Sequence, residues 1–156
     1  MSELERMTDQ LDRAVAGEAW HGPSLTEVLD GLTADQAAAR PLAAAHSIWE
    51  LVLHMTTWVD VVGRRLGGER VADVPEDVNF PPLGATDDRA WHQAKRRVTE
   101  AHRRLREAIL CVDEARLDEP LAGTPWTTYA TIHGIIQHTL YHTGQAAVLA
   151  KALVRS

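Results

Sequence analysis

Apolar residues recur every three or four positions in four long stretches of the chain, which is the spacing of one face of an α-helix. No stretch alternates between apolar and polar residues for long enough to predict a strand. The predicted helices cover residues 3–18, 47–68 and 87–112 and, from a start between 128 and 132, the chain up to about 154. The pattern predicts an all-α protein, folded as an antiparallel four-helix bundle with long crossover connections.

Two connections are long enough to carry structure of their own. After the first helix, residues 24–32 and 33–40 predict two short helices, the second opened by Thr33 in a capping box. Residues 67–86 contain three prolines and three glycines and predict a long loop, which we expect to border a substrate entrance. The 156 residues, 45% of them apolar, suffice for one core, so we expect residues 1–156 to form a single domain.

Charge and cysteine content argue against several classes of protein. A formal charge of -6 at pH 7 is unfavourable for a protein that holds nucleic acid phosphates or an anionic membrane surface. The basic residues within 95–106 are interrupted by Glu100, which predicts a solvated helix face. Cys111 is the only cysteine, and we expect it to be a small buried apolar group.

No apolar run approaches the roughly 20 residues of a membrane span, and the first residues lack the pattern of a signal peptide. We therefore expect a cytoplasmic protein with a small-molecule substrate and no nucleic acid or membrane partner.

Candidate metal ligands come from the eight histidines. His138 and His142 are four residues apart on one face of the fourth helix, a spacing that can chelate a metal. The same spacing also arises by chance, with both imidazoles making ordinary hydrogen bonds. A third ligand must come from elsewhere, and His54 on the second helix is the best candidate, with His46 as its competitor. By its spacing, His102 falls on the polar or marginal surface of the third helix.

Two segments carry a resemblance to a known family. Residues 46–55 (HSIWELVLHM) and 138–145 (HTLYHTGQ) look like the signature segments of the DinB/YfiT-like metalloprotein superfamily. The resemblance implies a four-helix bundle that binds a divalent metal through His54, His138 and His142. It also implies a metal-dependent thiol S-transferase that uses bacillithiol, mycothiol or glutathione and acts on a small electrophile. From the resemblance we further expect a homodimer.

The chemistry of such a site follows from its ligands. Three neutral imidazoles leave an open position on the metal, and zinc or nickel, or else iron or copper, suits this donor set. A metal so placed lowers the pKa of a bound water or thiol. Gln145 could orient a ligand, and Glu50 could act as an acceptor or general base, although its capping box explains it without chemistry. Tyr141 points away from the histidine face. The alternative to an enzyme is a non-catalytic, stress-associated ligand- or metal-binding protein of the same fold.

Overall fold

The described part of the chain is built from helices. A computed structural model describes residues 1–154, and within this range there are seven α-helices, one short 3-10 turn at Glu114–Arg116 and no strand. The helices are α1 (Glu3–Ala16), α2 (Leu25–Leu29), α3 (Ala34–Ala38), α4 (Ile48–Leu66), α5 (Glu76–Asn79), α6 (Asp88–Leu110) and α7 (Thr128–Val154). The four long helices, α1, α4, α6 and α7, form the predicted bundle, so the all-α fold class is confirmed.

Side-chain caps set where the helices begin. Four helices open with a complete capping box, in which a Ser or Thr hydroxyl and a Glu or Gln side chain satisfy each other's backbone donors. The capping residues are Ser2, Ser24, Thr33 and Ser47. The end of α1 was predicted two residues too late. Gly17 and Glu18 adopt positive φ angles of 131° and 59°, which an α-helix cannot continue through.

The two neighbouring helices α4 and α6 run parallel. Trp49 near the start of α4 contacts Trp91 near the start of α6, with ring centres 5.1 Å apart. Further along both helices, Asp60 accepts a hydrogen bond from Arg104 at 3.0 Å. A helix of 19 residues is roughly 28 Å long, so the chain between α4 and α6 must return over that length before α6 can start. This return explains why the connection 67–87 is long.

Helices α4 and α7 run antiparallel, and their middles meet. Leu51, early in α4, shares a cavity wall with Leu149, late in α7. At the other end of the pair, Arg65 of α4 shares a cavity wall with Ala130 of α7. The residues halfway along each helix therefore face one another inside the bundle.

A polar layer divides the core into two apolar clusters. Along α7, Ile132, Ile135 and Ile136 belong to one cluster, whereas Ala146 and Leu149 belong to the other. The buried residues between them are polar, namely Thr139, His142 and Thr143. Buried hydroxyls are costly unless they are hydrogen-bonded. Each threonine Oγ1 lies within hydrogen-bond distance of the backbone carbonyl four residues earlier, and Thr139 Oγ1 also lies 3.1 Å from His102 Nε2 on α6.

Two sequence predictions are wrong for side chains in α6 or directly after it. His102 is buried, with 3% of its surface exposed, because α7 supplies a polar partner at that height: its Nε2 lies 3.1 Å from Thr139 Oγ1. His102 Nδ1 lies 2.7 Å from the carbonyl of Val98, one turn earlier. Cys111, expected to be buried, is exposed because α6 ends at Leu110 and leaves it outside the core. No helix within the described part of the chain is long and apolar enough to cross a membrane.

Candidate metal centre

Three imidazoles converge where α4 and α7 meet. His54, His138 and His142 each offer a ring nitrogen, and these nitrogens all lie within 4.8 Å of one another. The Nε2 atoms of His54 and His138 are 3.0 Å apart. His54 and His142 are buried, with 6% and 8% of their surface exposed, and His138 is partly buried. The structure thus brings together the three histidines that the sequence analysis singled out, and we refer to them as the triad.

The long connection between α4 and α6 holds the first of these rings. The backbone carbonyl of Asn79 accepts a hydrogen bond from His54 Nδ1 at 2.8 Å, which leaves Nε2 as the atom with a free lone pair. The Asn79 side chain accepts from Trp58 Nε1 at 2.8 Å. The ring of Phe80 stacks on that of His54 with centres 4.0 Å apart, and the ring of His46 also stacks on Phe80, with centres 3.9 Å apart. His54 is therefore fixed in both tautomer and ring orientation.

Gln145 plays the corresponding part for His142. Its Oε1 lies 2.6 Å from His142 Nδ1, one helical turn away, and accepts the Nδ1 proton. His142 Nε2 then carries the free lone pair. A hydrogen-bonded Nδ1–H that orients the ring is the arrangement found around metal-binding histidines in general.

His138 has no such support. Its Nδ1 is buried and has no hydrogen-bond partner among the described residues, while its Nε2 faces that of His54. Since His54 donates through Nδ1, the Nε2 contact of 3.0 Å requires a proton or a cation between the two nitrogens. His138 is thus the member of the triad with the least protein support.

Burial keeps the triad neutral. Desolvation, followed by the neighbouring imidazoles of His142 and His54, lowers the pKa of His138 to about 3. Desolvation also lowers the pKa of His54 and of His142, against the opposing effect of their hydrogen bonds to Asn79 and Gln145. A neutral imidazole is the form that binds a metal.

The donor set and its spacing fit a divalent cation. Zinc with Zn–N bonds of about 2.0–2.1 Å keeps tetrahedral nitrogens roughly 3.3 Å apart, and the observed Nε2 contact is close to that separation. Neutral imidazole nitrogens suit zinc, nickel, iron and copper. Three ligands from the protein leave a coordination position for a further molecule.

Two cavities border the triad, one at His142 and the other at His138. A cavity of about 660 Å³, lined by His142 and Gln145 and by apolar side chains such as Leu51 and Leu149, lies towards the end of α7. A second cavity of about 450 Å³ borders His138 and lies towards the start of α7. We call them the His142 cavity and the His138 cavity. Both volumes fall within the range of about 300–1,000 Å³ that is usual for small-molecule sites.

Comparison with known proteins agrees with this geometry. A family model described as the DinB superfamily matches residues 19–146, which is most of the chain. The chain belongs to the DinB superfamily. No curated protein matches the sequence significantly.

The other predicted site residues of this DinB-superfamily chain lie around the triad in different ways. Glu50 completes the cap of α4 and forms an ion pair with Arg40, and no hydrogen bond joins it to the triad within residues 1–154. Partial burial raises the pKa of Glu50, but hydrogen bonds from Arg40 and Ser47 lower it on balance. A carboxylate of lowered pKa is a weak base at neutral pH. Tyr141 is exposed, yet its ring contacts that of His142 edge-on at 5.0 Å and lines the His142 cavity.

Two residues beside His54, Asn79 and Phe80, were not predicted from the sequence. Both lie in the segment 67–86, which was predicted as a loop and contains the short helix α5 just before Phe80. The only available signal was the length of the segment, which led us to expect it near a substrate entrance. Nothing in the spacing of residues along α4 indicates that a backbone carbonyl of this connection accepts the His54 proton.

Proposed function

We propose that this protein is a metal-dependent transferase that joins a low-molecular-weight thiol to a small electrophile. The observation that carries the proposal is the position of the triad, which forms part of the wall of both the His142 cavity and the His138 cavity. A transferase needs two molecules to meet at one reactive point, and a triad between two cavities offers that arrangement.

The metal in this proposal is held by His54, His138 and His142, with zinc or nickel preferred and iron or copper as alternatives. Asn79 and Gln145 keep the Nδ1 protons of His54 and His142 away from the metal. When bound, the metal supplies a Lewis acid that lowers the pKa of a thiol at its open position.

The residues of the chain supply the remaining requirements of the reaction. The largely apolar walls of the His142 cavity give a thiol and a small electrophile a surface to pack against beside the triad. The thiol loses its proton to solvent, and its sulfur forms a bond to the electrophilic carbon while a leaving group departs with its electron pair, or a π bond opens and takes up a proton.

The test is thiol conjugation by untagged protein with monochlorobimane as the electrophile. Cysteine, glutathione, bacillithiol and mycothiol are each offered to zinc-loaded and nickel-loaded protein, and the uncatalysed rate is subtracted. We expect turnover with at least one thiol, its loss on chelation, and its loss in the double variant His138→Ala/His142→Ala. The matched control is His21→Ala/His92→Ala, which removes two exposed histidines and leaves the triad intact.

A failure of this assay would favour the alternative function. If the metal-loaded protein binds thiols or electrophiles in calorimetry but turns over no combination, the protein is a ligand-binding or metal-binding member of the superfamily. If it neither turns over nor binds any of them, the thiol proposal is wrong. The homodimer, the single domain spanning residues 1–156, the small-molecule substrate and the cytoplasmic location stay predictions, and light scattering tests the first of them.

A further inference from the structure

An arginine without an acidic partner lies in the wall of the His138 cavity. Arg65, near the end of α4, is buried, with 8% of its surface exposed. Its Nε donates to the backbone carbonyl of Val71 at 2.9 Å. Within residues 1–154 no carboxylate forms an ion pair with Arg65, and its two terminal nitrogens, which retain contact with solvent, have no hydrogen-bond partner in the protein. Most of the Arg65 side chain is shielded from water without an acidic partner, and its terminal nitrogens are left free to bind an anion.

The neighbouring arginine shows the usual alternative. Arg64 is exposed and forms a two-point ion pair with Glu69, and that carboxylate raises the pKa of the Arg64 guanidinium. Burial, with no carboxylate to oppose it, lowers the pKa of Arg65. An arginine nevertheless keeps its charge at neutral pH, so Arg65 presents a fixed positive charge at the wall of the His138 cavity.

Aromatic rings connect Arg65 to the triad. The indole of Trp58 has its centre 6.0 Å from the guanidinium carbon of Arg65 and 6.3 Å from the ring centre of His138. Trp58 and Trp126 both line the His138 cavity, as do Arg65 and His138. The guanidinium and His138 therefore both lie beside the same indole, in a cavity with two tryptophans in its wall.

Two long connections hold Arg65 in place. Gly123, in the connection between α6 and α7, packs so closely on Val71 that a Cβ at this position would lie 2.5 Å from the Val71 carbonyl oxygen. The same oxygen accepts the hydrogen bond of Arg65. This contact joins the segment that carries Trp126 to the segment that orients the guanidinium.

We propose that Arg65 binds the carboxylate of a small organic acid whose carbon skeleton lies between Trp58 and Trp126 and extends towards His138. The planar guanidinium can donate two parallel hydrogen bonds to a carboxylate, and such charge-assisted pairs are strong where water is excluded. The aromatic walls favour an unsaturated or aromatic skeleton. As a statement about substrate class this rests on the proposed function, whereas binding of the acid at Arg65 does not depend on turnover.

The test compares an acid with its uncharged analogue. The affinities of 3-phenylpropanoate and 3-phenylpropanamide for metal-loaded full-length protein are measured by calorimetry. We expect the acid to bind about 10- to 100-fold more tightly than the amide, since a charge-assisted pair replaces a neutral one. Equal affinities, or no measurable binding of either compound, would overturn the proposal.

Variants assign the preference to Arg65. Arg65→Gln should abolish it, Arg65→Lys should retain part of it, and Arg64→Gln, the matched control one residue away, should leave it unchanged. Circular dichroism and thermal unfolding establish that each variant is folded, and Arg65→Lys remains informative if Arg65→Gln is not. A preference that survives in both Arg65 variants would contradict the proposal.

Chelation separates Arg65 from the metal. A carboxylate can also bind a divalent cation directly, so the measurement is repeated after the metal is removed. A retained preference supports Arg65, whereas its loss on chelation together with its survival in Arg65→Gln would assign the carboxylate to the metal and refute the proposal. Metal content and thiol turnover are measured separately, so this result stands whether or not the transferase proposal holds.

A second pair of compounds identifies which reactant carries the acid. N-acetylcysteine and N-acetylcysteinamide are compared in the same way. A preference for the acid only in the phenylpropanoate pair places the carboxylate on the electrophile, and a preference only in the cysteine pair places it on the thiol. Either result supports a carboxylate site at Arg65, and a preference in neither pair refutes it.

Discussion

Replacement of His102 by Gln should remove one source of the acid sensitivity of the fold. Burial lowers the pKa of His102 from 6.5 to about 4 in the folded protein. Its ring lies inside the bundle between Val98 and Thr139, where no carboxylate accepts a hydrogen bond from it among the residues described. The folded state therefore holds His102 neutral over a pH range in which the unfolded chain protonates it.

The sign and size of the effect follow from the two pKa values. Below pH 6.5 the unfolded chain binds a proton at His102, whereas the folded protein binds it only near pH 4. Above pH 6.5 the titration of His102 therefore costs the fold nothing. As the pH falls from 6.5 to about 4, the unfolding free energy decreases, because only the unfolded chain binds the proton. The full loss amounts to about 3 kcal/mol, of which about 2 kcal/mol is gone at pH 5.

The assay is urea unfolding of the wild type and His102→Gln at several pH values from 7.5 to 4.5, with a chelator present. The triad titrates in both proteins, so its contribution cancels in the difference between their unfolding free energies. We expect the wild type to lose about 2 kcal/mol relative to the variant between pH 7 and pH 5. Parallel pH profiles would refute the inference that His102 is buried and neutral.

Three further variants test other parts of the account. Gln145→Leu should weaken metal binding about 10- to 100-fold in competition with a chelator, because His142 loses the acceptor that orients it; an unchanged affinity would remove Gln145 from the site. Gly123→Ala should lower the unfolding free energy by about 1–3 kcal/mol, because the residue has a φ of 80° and no room for a Cβ, whereas Gly84→Ala, in open space, should not. Glu50→Ala should lower the unfolding free energy by about 1 kcal/mol, because the cap of α4 and the ion pair with Arg40 are lost, while metal affinity and turnover stay the same. A large loss of turnover would instead favour Glu50 as a general base.

Periodicity predicted the fold because each long helix has one apolar face. The starts of α3, α4 and α6 at Thr33, Ser47 and Asp87 were predictable from local capping chemistry, which depends on residues three positions apart. The parallel direction of α4 and α6 was not, since direction depends on how far the connection travels through space.

The triad was accessible to sequence analysis for the same reason. Histidines four residues apart must share a helix face, and His54 lies at the flank of an apolar stripe. Asn79, Phe80 and the buried Arg65 were not accessible, because their roles depend on a connection folded back over α4. His102 was misjudged because its burial depends on a hydroxyl of α7, which no pattern within α6 encodes.

Metal content tests the central claim most directly. Elemental mass spectrometry is applied to untagged protein purified without chelators, for the wild type, His138→Ala/His142→Ala and the control His21→Ala/His92→Ala. If the triad binds a cation, the wild type and the control contain about one divalent ion per chain, and the triad variant contains none. A folded wild type that holds no metal even after reconstitution, or a triad variant that holds as much as the wild type, would contradict it.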